Sequence, residues 1–235
     1  LYCFVCEARM SNRFAALKSI SVELLSHRLG RGLVGALAAL LLLPLPSLAH
    51  HAMGGDLPTT VTEGFVSGLA HPVIGLDHLA FVVAVGLLAA VSAWGIAIPI
   101  AFVLAAMAGA GLHLAGINLP AAELVIAGSV LGVGVLLALK HRPRSAVMMG
   151  LAALAGLFHG FAYGEAIFGA EAMPLVAYLA GFTVVQMGIA IAAFGVGRQL
   201  ARRSTSLFGQ RAGLVICGIG AAFLTTTVVN ILLPI

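Results

Sequence analysis

Six apolar stretches, covering roughly residues 64–91, 95–116, 121–139, 146–168, 173–197 and 212–233, fill most of the chain beyond its first sixty residues. Each comes close to or exceeds the about 20 residues that carry an α-helix across a bilayer. A backbone inside lipid has to satisfy its hydrogen bonds internally and so crosses as helices or as a closed barrel. These runs lack the polar/apolar alternation of barrel strands. The expected fold is therefore an all-α integral membrane protein, a compact bundle of six transmembrane helices, with short connectors that predict antiparallel packing of sequence neighbours. Only 9% of residues are charged and 61% are hydrophobic, with a mean hydropathy of +1.13. A soluble domain carries about a quarter charged residues, so the soluble classes are excluded.

The amino-terminal region reads differently. Arg9, Arg13, Lys18, Arg28 and Arg31 precede an apolar core from Leu33 to Leu43, a Pro44/Pro46 break and Ser47-Leu48-Ala49. With Met10 a better initiator than Leu1, this is the pattern of a cleavable secretory signal. The core is too short to span a bilayer. The expected organisation is a leader and signal peptide at 1–49 and a six-helix transmembrane domain at 50–235. Without the leader, seven Lys/Arg face six Asp/Glu, and this balance gives no sign of a nucleic-acid partner. Cys3 and Cys6 form a C-x-x-C that precedes Met10 and lacks the second pair of a zinc site. Cys217, alone in an apolar stretch, reads as a small buried hydrophobe.

Cleavage would deliver the new amino terminus outside, leaving the loops after the third and fifth stretches in the cytoplasm. Lys140-His141-Arg142-Pro143-Arg144 and the stretch holding Arg198, Arg202, Arg203 and Arg211 contain all seven remaining basic residues. That agrees with the positive-inside rule. The expected protein is multi-pass in the inner (plasma) membrane, with both termini outside.

Against this apolar background stand two ionisable clusters: His71-Pro72-Val73-Ile74-Gly75-Leu76-Asp77-His78 and Phe158-His159-Gly160-Phe161-Ala162-Tyr163-Gly164-Glu165. Ionisable groups at membrane depth mark functional sites, and imidazole with carboxylate is a ligand set for a divalent transition metal. Pro72 predicts a kink or break near His71. On an unbroken helix His71 and His78 lie about 20° apart and Asp77 about 120° from His71. Asp77 thus joins the site only if the helix is distorted, or else orients a histidine through its second N–H. His113 and Glu123 fall in the outer half and complete a funnel narrowing to His78 and His159. For His113 the alternative is a neutral packing histidine, and for Glu123 an electrostatic role at a helix start. After cleavage, His50 and His51 could capture metal outside, His50 through its amino group and imidazole.

Gly156/Gly160/Gly164, Gly64/Gly68 and Gly128/Gly132 form small-residue ridges that let helices approach closely. Gln186, with Thr183, and Asn230, with Thr225 to Thr227, read either as lining or as interhelical hydrogen-bond glue. The His-x5-acid spacing shared by His71/Asp77 and His159/Glu165 raises an inverted three-plus-three repeat as one reading.

Taken together, His-Pro-x-x-Gly-x-Asp-His in the first stretch, Leu119-Pro120, Glu123 and Ser129-Val130 in the third, and Phe-His-Gly in the fourth resemble the HupE/UreJ proteins over essentially the whole chain after the leader. These are hydrogenase- and urease-associated membrane proteins regarded as secondary nickel permeases, with some members linked to cobalt. The resemblance implies that His71, Asp77 and His78 are the metal-handling motif and His159 the fourth-helix histidine. Many members have further histidines where this chain has Phe161 and Tyr163.

The expected function is a secondary transporter importing Ni²⁺ or Co²⁺ as cargo, with no prosthetic group, in the service of a nickel or cobalt enzyme maturation system. No G-x-x-x-x-G-K-[ST] occurs, so a gradient or the membrane potential drives it. Two rivals use the same ligands: an intramembrane metal-dependent hydrolase and a metal-binding accessory protein that moves nothing.

Overall fold

A computed structural model describes residues 56–203 and 207–233. The expected leader, Cys3, Cys6, His50 and His51 lie outside the described residues. The described residues form seven helices and no strand: α1 Val61–Ile74, α2 Leu76–Ala90, α3 Ala97–Leu114, α4 Ala122–Ala138, α5 Ser145–Glu165, α6 Ala172–Arg203 and α7 Leu207–Leu232. Helices α3, α5, α6 and α7 are long and apolar enough to cross a membrane, and α1 with α2 adds a fifth such span if the bent pair counts as one. Their outer faces carry exposed aliphatic side chains such as Leu104, Val176 and Leu214.

The first apolar stretch is not a single helix. Thr60 starts α1 with a capping box, its hydroxyl on the Glu63 amide and the Glu63 carboxylate on the Thr60 amide. Pro72 is accommodated in the last turn, and the break comes at Gly75, where the chain turns by 79° into α2. The proline removes one hydrogen bond of the preceding turn, and the chain leaves the helix three residues later. The second basic stretch is also not a loop. Arg198 to Arg203 continue α6, and Arg211 lies within α7. Arginine forms helices well and is favoured near a helix carboxyl end. In the loop after α4, the Arg142 guanidinium donates to the Leu137 carbonyl at 3.1 Å, closing that helix end.

Sequence neighbours are not the tightest partners, contrary to the expectation from short connectors. The closest pairs are α3 with α5, α4 with α7, and α1 and α2 with α6. Glycine decides this, because helices gain most where backbones can touch. Gly64 abuts the Pro174 carbonyl, Gly68 the Tyr178 carbonyl, and Gly181 the backbone of Phe65 and Leu69. On the other side, Gly156 abuts Phe102, Gly160 abuts Ala106, and Gly109 abuts the backbone of Leu157 and Phe161.

These two sets of contacts are the same set. Shifting α1 onto α5 and α6 onto α3 converts Gly64/Pro174 into Gly156/Phe102, Gly68/Tyr178 into Gly160/Ala106, and Gly181/Phe65 into Gly109/Leu157. The third pair maps onto itself: Gly134 meets Cys217, and the exchange of α4 with α7 gives Gly213 against Ala138. This pairing makes α4 and α7 antiparallel, so the two halves are related by a twofold across the helix axes, an inverted repeat. Its register is not that of the His-x5-acid spacing. His71 corresponds to Tyr163 and His159 to Ser67, while α2 has no counterpart in the second half.

Candidate functional site

The polar centre lies where the two halves meet. His71 at the end of α1, His78 in the first turn of α2 and His159 in α5 are all at most 4% exposed. His78 Nδ1 lies 2.8 Å from His159 Nδ1, and His159 Nε2 lies 2.9 Å from Ser129 Oγ on α4. The Ser129 hydroxyl donates to the Ile126 carbonyl at 2.7 Å. A hydroxyl has one proton, so Ser129 accepts from His159 Nε2–H. His159 then presents its bare Nδ1 to an N–H from His78, and the three groups form one directional chain that fixes both tautomers.

Aromatic rings close the site. Phe81 stacks on His159 with centroids 4.3 Å apart, and Tyr163 tilts over His78 at 4.6 Å. Tyr163 also meets His71 edge-on at 5.0 Å, so the two residues related by the repeat touch each other. On α6, the Tyr178 hydroxyl lies 2.8 Å from His71 Nδ1 and 3.3 Å from the Tyr163 carbonyl. These aromatic walls surround the imidazoles with low-dielectric surface, in which each hydrogen bond between them is stronger than in water.

Asp77 stands at a helix start because the chain breaks at Gly75. Half-buried in the first turn of α2, its Oδ1 accepts the His78 backbone amide at 2.8 Å. A carboxylate there also favours the amino end of α2 electrostatically. Gly75 is closely fitted to this turn, since a Cβ on it would fall 2.8 Å from His78 Cδ2.

The remaining sequence candidates are placed elsewhere. Glu165 is exposed at the last residue of α5 and Glu123 is exposed in the first turn of α4. His113 lies edge-on to Phe161 at 4.5 Å and to Phe168 at 5.6 Å. Among the described residues no three of His, Cys, Asp and Glu are disposed to hold a metal ion together. The centre is an imidazole pair, with a third imidazole nearby and oxygen groups around it. Thr183, Thr225 and Thr226 bond carbonyls of their own helices, and Asn230 is exposed, which leaves interhelical glue unsupported for them. Gln186 is wholly buried, and neither atom of its amide has a hydrogen-bond partner among the described residues. An unsatisfied buried group of this kind costs about 1–3 kcal/mol.

Tyr178 was not found by sequence reasoning, because an aromatic at helical spacing reads as core. The available signal was its position eight residues before Gln186, on the same face of one helix. Ser129 and Tyr163 entered only through family resemblance, the latter as a departure.

Comparison with known proteins identifies the family. A family model described as HupE / UreJ protein matches residues 38–223. The chain is 31% identical over 189 residues to protein HupE of Rhizobium leguminosarum bv. viciae, covering 77% of this chain and 93% of that relative. No solved structure matches it.

Proposed function

Because the chain belongs to the HupE/UreJ family, we propose that it is a secondary permease that imports Ni²⁺ or Co²⁺ through the His78/His159 pair. The observation that carries this reading is the place of the pair: buried, at the interface of two inverted halves, beside a helix broken at Gly75. Inverted-repeat transporters bind at that interface, on discontinuous helices, and work by moving one half against the other. The 17-residue α4 lies at the short end of what spans a bilayer. Counting α4, and α1 with α2 as one bent span, gives six crossings in the inner membrane. The basic residues beside α4/α5 and α6/α7 favour a cytoplasmic side for those ends.

The ion, as cargo, takes the place of the proton between the two imidazoles, and His78 gives up its Nδ1 proton to water and regains one at Nε2, so that both rings stay neutral. Two nitrogens on one metal at about 2.0–2.1 Å sit roughly 3.3 Å apart in a tetrahedral arrangement. The pair at 2.8 Å therefore has to open by about half an ångström. Nitrogen ligands suit nickel and cobalt, while the neighbouring Asp77, Tyr163 and Tyr178 supply oxygen. A membrane potential contributes about 4.6 kcal/mol per 100 mV for a divalent ion, twice the unit-charge value. A hydrolytic zinc site, by contrast, is built on three protein ligands held together with an open position, and the arrangement here is a pair. The metal delivered would feed a nickel or cobalt enzyme maturation system.

The test is uptake into proteoliposomes with an inside-negative potential. Nickel or cobalt accumulation above empty vesicles is expected, and it should collapse with the potential. Binding without accumulation would instead identify a metal-binding accessory protein. A finer test concerns Ser129, whose hydroxyl holds the His159 tautomer. Ser129→Ala is expected to weaken nickel affinity by about 10- to 100-fold, the usual effect of losing such a support, as read by equilibrium binding. Unchanged affinity would remove Ser129 from the site.

A further inference from the structure

Residues 178, 182, 186 and 190 recur every four positions along α6, and all four are buried to within 1%. Such positions lie on one face of a helix, about 40° apart. Their partners fix the level of each. Tyr178 reaches His71, Phe182 lies over Tyr163 with centroids 5.1 Å apart, and the Ala190 carbonyl abuts Gly86 of α2. Gln186 therefore sits between the Tyr163 level and the Gly86 level, facing the same seam as α2 and about one turn past His78 in the direction of Arg198. The buried side chains of α2 beyond His78 are hydrocarbon, Phe81, Val82 and Val85 among them. A leucine would fill such a place, yet the chain carries an amide whose oxygen and nitrogen have no hydrogen-bond partner among the described residues. Buried polar groups of this kind call for a function, since the fold gains nothing from them.

Building on the permease reading, we propose that Gln186 is a further binding station for the divalent cation, a neutral amide-oxygen ligand one turn inward of the imidazole pair. Imidazole binds nickel and cobalt well, whereas a carbonyl oxygen is a weaker and harder donor. Conduction needs sites that hold an ion enough to accept it and loosely enough to release it. The order imidazole, then amide, then the basic cytoplasmic ends gives the ion progressively weaker holds as it moves inward. The Gln186 carbonyl takes the ion, or the water it retains, as a proton returns to His78 Nδ1, one leaves its Nε2, and the His78/His159 pair recloses; the amide itself exchanges no proton.

Three measurements on Gln186→Leu and Gln186→Asn decide it, each made beside the parent and His78→Ala. Gln186→Leu is expected to bind Ni²⁺ in detergent within twofold of the parent and to unfold at the same or a higher temperature, since it removes an unsatisfied amide. Its initial rate of Ni²⁺ uptake into proteoliposomes should fall by about tenfold or more. Gln186→Asn, which retains an amide, should keep at least about a third of the parent rate. The inference is overturned if Gln186→Leu transports within twofold of the parent, if it loses binding together with transport, or if the two variants are equally slow. A parent that moves no metal overturns the permease reading, and this inference with it. His78→Ala, losing both binding and uptake, separates the imidazole site from the inner station.

Discussion

Replacing His78 or His159 by alanine is expected to reduce nickel and cobalt uptake by about 100-fold or more, as removal of a metal ligand does when even its supports count for 10- to 100-fold. The two imidazoles bond each other at 2.8 Å and both are buried, so neither can be supplied from solvent. The double variant should be no worse in uptake than either single one, because the loss of one ligand already leaves no pair. Stability should behave differently. Removing His78 leaves His159 Nδ1 buried without its partner, at a cost of about 1–3 kcal/mol. Removing both leaves no such orphan, so the double variant should be less destabilised than the two single effects combined, by about 0.5–3 kcal/mol. Thermal unfolding in detergent checks the second result and proteoliposome uptake the first. Parent-like uptake by either variant would remove the pair from the transport path.

The sequence made the buried imidazoles visible, because hydrocarbon tolerates few ionisable groups and the positions of His71, His78 and His159 stand out against it. It could not pair them. His78 and His159 are 81 residues apart, and the packing of helices distant in sequence brings them to one seam. Depth along a stretch was legible and facing was not. Glu123 and Glu165 were candidates because they lie inside apolar runs, yet each ends up exposed near a helix end, while His113 turns to Phe161 and Phe168. Asp77 remained ambiguous in sequence because an intact helix turns it away from His71. The 79° break at Gly75 removes that constraint. The inverted repeat was detectable, but in the wrong register. Chemistry drew the eye to His71 and His159, whereas the symmetry resides in backbone contacts that pair His71 with Tyr163. The half that carries α2, which has no counterpart in the other, brings His78, so the site is asymmetric within an otherwise repeated scaffold.

That scaffold makes a second large prediction, in which three glycines in the same sequence pattern behave in opposite ways. Gly160 in α5 and Gly68 in α1 occupy equivalent places in the two halves. A Cβ on either would overlap a backbone carbonyl, that of Ala106 or that of Tyr178. Backbone cannot swing aside as a side chain does, so the helices have to separate. Gly160→Ala and Gly68→Ala are each expected to destabilise the fold by about 3 kcal/mol, the upper range for overpacking. Gly132, four residues from Gly128 as Gly160 is from Gly156, has nothing within 4 Å of the place its Cβ would take. There alanine meets no wall and gains helix propensity, so Gly132→Ala should be neutral or stabilising by up to about 1 kcal/mol. Unfolding temperatures of the three variants in one detergent decide the matter. Equal and small effects at Gly160 and Gly68 would mean that the two interfaces are looser than these contacts imply, and the repeat built on them would lose its support. A large effect confined to one of them would mean that the halves are not equivalent in their packing. If Gly68→Ala and Gly160→Ala fall together while Gly132→Ala does not, the inverted relation of the halves is a property of the folded protein, and the imidazole pair lies where a rocking motion of those halves would open it.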